Sequence, residues 1–111
     1  MLIEEIKACE QDADTRLAHL YEFLKIEKYK EEMAAIEQTM SRTDFWDNKE
    51  KAQETVQRLS ACKSATEPYF KLLATVGDFH ATAELAQEDE SFLSEADTSW
   101  ATLSKDLRSE E

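Results

Sequence analysis

The chain has 111 residues, a formal net charge of -12, and a single glycine and a single proline, Gly77 and Pro68. That length implies one domain with a modest core. The shortage of turn formers excludes a sheet-rich fold and a glycine-rich phosphate loop. The acidic excess repels phosphate backbones, so direct nucleic-acid binding is not expected; the surface suits a basic protein partner or serves solubility alone.

Abundant Glu, Lys, Ala, Leu and Gln predict an all-α protein of few, long helices. From Leu2 to Met40 there is no glycine or proline, and Leu2, Ile6, Cys9, Ala13, Leu17, Leu20 and Leu24 recur at three- and four-residue spacing on one helical face. A second series, Ile26, Tyr29, Met33, Ile36 and Met40, is out of phase with the first. The pattern predicts one long helix with an irregularity near Leu24–Ile26.

Ser41 to Asp44 form the first turn, and Phe45 and Trp46 follow it directly. Asp47 with Glu50 three residues on has the form of a capping box for a second helix. Its stripe reads Ala52, Val56, Leu59, Cys62, Thr66, Tyr69, Leu73, Val76, His80, Ala83 and Ala86. Pro68 falls inside it and predicts a kink or a break. Gln87 to Ser91 make the second turn, with Asp89 or Ser91 as a cap. A third, shorter helix carries Leu93, Ala96, Trp100, Leu103 and Leu107 in strict spacing.

A rise of 1.5 Å per residue makes the first two helices roughly 60 Å long and the third roughly 30 Å. Short turns make neighbours antiparallel, so the first two helices pair at residue numbers summing to about 89. That sets Met33 against Val56, Ile36 against Ala52, Tyr29 against Leu59, Leu17 against Leu73, Ala13 against Val76 and Ile6 against Ala83. The third helix folds back to set Trp100 against Phe79, Ala96 against Ala83 and Leu107 against Leu72. The expected architecture is an elongated antiparallel three-helix bundle, a coiled-coil hairpin clasped over half its length by a shorter helix. Its core is Ile6, Ala13, Leu17, Leu20, Met33, Ile36, Val56, Leu59, Leu73, Val76, Ala83, Leu93, Ala96, Trp100, Leu103 and Leu107. The half from Ile26 to Pro68 projects bare, and Phe45 and Trp46 either cap its open end or form an exposed contact. Capping is the favoured role, since aromatics beside a turn more often serve packing.

Residues with reactive chemistry are sparse. Cys9, His19, Cys62 and His80 are the only Cys and His residues, in none of the usual zinc spacings. The proposed register brings Cys9 near His80, without an orienting third group or an oxyanion hole. Neither histidine has the glutamate three residues before it that a di-iron bundle needs. No cofactor, metal site or enzyme activity is expected. Nothing at the acidic N-terminus has the form of a signal peptide, and no segment approaches the roughly 20 apolar residues of a membrane span, so a cytoplasmic chain with reduced thiols and no membrane partner is expected. Residues 84–111 hold nine acids and two bases, -7, against -5 for the first 83.

The stretch DFWDNKEKAQ, Asp44 to Gln53, resembles the signature turn of the N-terminal helical domain of the bacterial class I peptide chain release factors, specifically the release factor 2 family. The matching positions are Asp44, Phe45, Trp46, Asp47, Lys51, Ala52 and Gln53. EPYFKLL, Glu67 to Leu73, and ELAQEDES, Glu84 to Ser91, resemble the middle of that domain's second long helix and its acidic second turn, so the resemblance spans essentially the whole chain as one helical domain, residues 1–111. It implies a ribosome-docking, non-catalytic first domain of a factor that terminates translation at UGA and UAA codons. The family's codon-reading Ser-Pro-Phe and hydrolytic Gly-Gly-Gln motifs are not in these residues, so release of peptide by the chain alone is not expected. Implied partners are the rest of the factor and the ribosome's GTPase-associated region with the basic ribosomal protein L11. The alternative is a free-standing coiled-coil adaptor or translation regulator derived from such a factor. The reading frame after Glu111 discriminates the two.

Overall fold

A computed structural model describes all residues, Met1–Glu111. It is all-α, with no strands: α1 (Ile3–Phe23), α2 (Ile26–Met40), α3 (Lys49–Glu88) and α4 (Leu93–Glu110), with single 3-10 turns at Phe45–Asp47 and Glu90–Phe92. The long first helix expected from the sequence is two helices. Leu24 leaves helical geometry, and Lys25 takes a left-handed backbone with φ 56°. The phase change between the two apolar series is the cause. A straight helix would rotate one of them away from α3, and a single left-handed residue brings both back onto it.

α3 is continuous for 40 residues and sets the length of the molecule. At 1.5 Å per residue it spans about 60 Å, and the molecule measures 60 × 24 × 17 Å. The Cα radius of gyration is 19.0 Å, where a compact domain of this length has about 13 Å. The helix runs through both Gly77 and Pro68. Its N-cap is Asn48, one residue after the expected Asp47: the Asn48 side-chain oxygen accepts from the Lys51 amide at 3.1 Å. At the second turn Asp89 accepts from the Ser91 amide at 3.0 Å, and this bond holds its carboxyl below the usual carboxylate range.

The hairpin register lies within one residue of expectation. The Tyr21 and Tyr69 rings meet edge to face at 5.5 Å, and Arg58 donates to Glu32 at 2.5 and 2.8 Å; both pairs sum to 90. The left-handed residue between these pairs therefore costs no slip. α4 lies on α1 and α3 and does not reach α2. Its Trp100 ring sits 5.4 Å from that of Phe79.

The main core belongs to the three-helix end. Ile6, Ala13, Leu17, Leu20, Val76, Ala83, Ala96, Leu103 and Leu107 are buried there, joined by Ile26, Tyr69, Leu72, Phe79 and Ala86; Leu93 and Trp100 are half-buried against them. Leu59 is buried in the hairpin half, while Met33 and Ile36 are only half-buried. Two of the expected core residues are corrected. Val56 is 39 % exposed because it lies beyond the reach of α4, where two helices alone cannot enclose both flanks of the seam. Leu73 is 44 % exposed, and its neighbour Leu72, at 4 %, takes the core position. α4 packs on the side of α3 that carries Leu72 and Phe79, and it draws the buried face round by one residue.

Candidate functional site

Two surfaces differ from the rest of the molecule. The first is the tip. Phe45 and Trp46 sit in a 3-10 turn and meet edge to face at 4.7 Å. Phe45 is half-buried, while Trp46 is 58 % exposed. The expected cap is thus mainly Phe45, and most of the indole faces solvent. Trp46 forms one wall of an open cleft with Lys49, Ala52, Gln53 and Val56. On the other side of the aromatic pair, Arg42, Asn48, Lys51 and Thr55 line a polar cleft. Of the seven signature positions, Asp44, Phe45, Trp46 and Asp47 form the turn, and Lys51, Ala52 and Gln53 form the first turns of α3. Ala52 is buried at the seam; Lys51 and Gln53 point outward. The aromatic residues are therefore held between two helix ends at the extremity of the rod.

The second surface is the flank of the three-helix end. Residues 1–23 and 71–111 hold sixteen acids and five bases, a net -11; residues 24–70 hold nine acids and eight bases, a net -1. The charge asymmetry seen along the sequence is therefore sharper in space: nearly all of the net charge lies away from the tip. Several acids there are engaged. His80 lies between Asp14, 2.7 Å from Nε2, and Glu10, 2.5 Å from Nδ1. Hydrogen bonding to Asp14 and then to Glu10 favours the charged ring and raises the His80 pKa above the ordinary histidine value, against the opposing effect of partial burial. Arg16 on α1 grips Glu111 after the end of α4 and also reaches Asp12 at 3.4 Å; the grip holds the Glu111 carboxyl below its usual range. The Met1 amine pairs with Asp97 at 2.8 Å.

No group of His, Cys, Asp and Glu side chains is arranged to hold a metal ion. Glu10 and Asp14 address different nitrogens of His80, so the three do not converge on one point. Cys9 lies beside the Met1 sulfur at 3.7 Å, and Cys62 is buried in α3. Burial raises both thiols above their usual pKa, the opposite of what a nucleophile needs. No helix is long and apolar enough to cross a membrane.

The fold is an elongated helical hairpin with an aromatic tip and an acidic flank at its three-helix end. The model of the PCRF domain family matches residues 29–111, and the chain belongs to that family, a domain of peptide chain release factors. It is similar to peptide chain release factor 2 of Staphylococcus haemolyticus, 34 % identical over 89 residues, which cover 80 % of this chain and 24 % of that protein. The factors of the same name from Staphylococcus epidermidis and Staphylococcus aureus are each 32 % identical over 89 residues, with the same coverage. The chain thus spans about a quarter of the length of these curated relatives, in keeping with the N-terminal domain of release factor 2. No solved structure matches it.

Proposed function

We propose that these residues form a single, non-catalytic helical domain, 1–111, of a class I release factor acting in the cytoplasm at UGA and UAA codons. In this reading the domain docks the factor on the ribosome near the GTPase-associated region and protein L11, and the rest of the factor reads the codon and releases the peptide. One observation carries the reading: 80 % of the chain aligns with about a quarter of each relative named release factor 2. The signature turn at Asp44–Asp47 stands at the extremity of the hairpin, where a docking element needs to be. The -11 flank supplies the charge that a basic ribosomal protein complements. No cofactor has a part in it.

Binding of the 111-residue chain to ribosomes with and without L11 tests the proposal. Saturable binding that weakens without L11 and with rising salt is expected. Equal binding to both ribosome preparations removes L11 as the partner, and no binding to either removes the docking role. Release of peptide from a termination complex by this chain alone overturns the non-catalytic reading.

A further inference from the structure

Three discontinuities fall at one level of the rod. The first is the left-handed Lys25 between α1 and α2. Such a conformation is uncommon for a residue with a side chain and carries backbone strain. The second lies in α3. Cross-hairpin pairs sum to 90, so Leu24 and Lys25 lie opposite Thr66 and Ala65. Pro68 has no amide hydrogen, so the helical bond to the Ser64 carbonyl, spanning that level, is missing. Just before it, the Thr66 hydroxyl donates to the Cys62 carbonyl at 3.0 Å, a side-chain bond that itself tends to bend helices. The third is the end of α4. Ser109 and Glu110 share a cleft with Ser64 and Pro68, so the clasping helix stops at this level.

A helix resists bending through its ladder of hydrogen bonds. Here the ladder is interrupted in both arms of the hairpin at the same height, and the third helix stops there. We propose that this level is a transverse hinge, about which residues 26–67 move as a lever relative to the three-helix end.

The hinge has a fastening. Tyr21, on α1, reaches across the break: its hydroxyl donates to Glu27 on α2, and the ammonium of Lys30 lies 5.8 Å above its ring. The same ring meets Tyr69 on α3. One side chain thus touches the first arm on both sides of the joint and the second arm opposite it. The Glu27 bond raises the Tyr21 pKa to about 12, so the hydroxyl keeps its donor proton throughout the neutral range.

Residual dipolar couplings on the 111-residue chain test the hinge, with the two halves fitted separately. In the parent protein the degree of order of residues 26–67 falls below that of the three-helix end. Tyr21→Phe, which deletes only the fastening hydroxyl, lowers it further. Pro68→Ala, which restores the amide donor to Ser64, raises it toward equality. One alignment tensor fitting both halves equally in all three proteins overturns the hinge. So does Tyr21→Phe lowering order in both halves alike, which marks general loosening.

Discussion

The two halves of this molecule share α3 and differ in what covers it. At the three-helix end α1 and α4 close over α3 from two sides, and Ile6, Ala83, Ala96, Leu103 and Leu107 are fully excluded from solvent. In the hairpin half only α2 covers it. Met33 and Ile36, on α2 and of the same chemical kind, stay half-buried there, and Val56 stays exposed. The electrostatics divide at the same place, -11 against -1. Two antiparallel helices bury one narrow seam, and a third is needed for an interior. The thick end therefore carries the stability, and the thin end presents surface.

The contrast predicts a steep gradient in mutational cost. Leu103→Ala, in the fully enclosed interior, costs about 3 kcal/mol in denaturant unfolding. Ile36→Ala, on the half-covered seam, costs about 1 kcal/mol. Equal losses mean that the hairpin half is enclosed by something else in solution, such as a second copy. Within α3, Leu72→Ala is expected to cost about 2–3 kcal/mol and Leu73→Ala under about 1 kcal/mol. The reverse order places α4 on the wrong side of α3.

The polar clasp at the thick end is pH-dependent, with a definite sign. The pKa of His80 is raised in the folded state by Asp14 and then Glu10. Its contribution is complete below about pH 6.5, the ordinary histidine value, and is lost as pH rises through the higher folded value. The thermal midpoint of the parent, followed from about pH 5 to 9, falls across that window relative to His80→Gln. Parallel curves mean that His80 binds its proton equally in the folded and unfolded chains, so that Asp14 and Glu10 do not raise its pKa. At the tip, Trp46→Ala lowers stability by under about 1 kcal/mol, because most of the indole is already in solvent. The same change weakens ribosome binding if the indole is a contact; a large loss of stability restores it as a cap. The smallest effect is at the joint. Lys25→Gly removes the strain of a left-handed lysine and stabilises by about 0.5–1 kcal/mol, measured by the denaturation midpoint.

Particular residues show how far a one-dimensional reading reaches. Apolar spacing placed the helices, and apolar-to-apolar matching placed the hairpin register within one residue, since Tyr21 meets Tyr69 and Glu32 meets Arg58. Trp100 against Phe79 was equally legible. The phase change at Leu24–Ile26 was visible, yet its resolution was not. A lysine carries no left-handed preference, and it takes that geometry because α3 demands both apolar series. The hairpin register set Cys9 and Glu10 opposite His80, yet the clasp went unread, because which flank the imidazole turns to, and so that it meets Glu10 and Asp14, is decided by side-chain geometry. The signature turn was legible as a family motif, while the exposure of Trp46 against the partial burial of Phe45 required the turn's geometry.

By itself, then, the sequence determined an α-helical rod: helix propensity, the lack of turn formers and three- to four-residue apolar spacing are local properties, written into consecutive residues. Only the tertiary structure decided which of Leu72 or Leu73 lies inside, that the first helix divides at Lys25, and that the net charge gathers at the end away from the tip. Each of those depends on which helix covers which face, and burial is settled by neighbours distant along the chain.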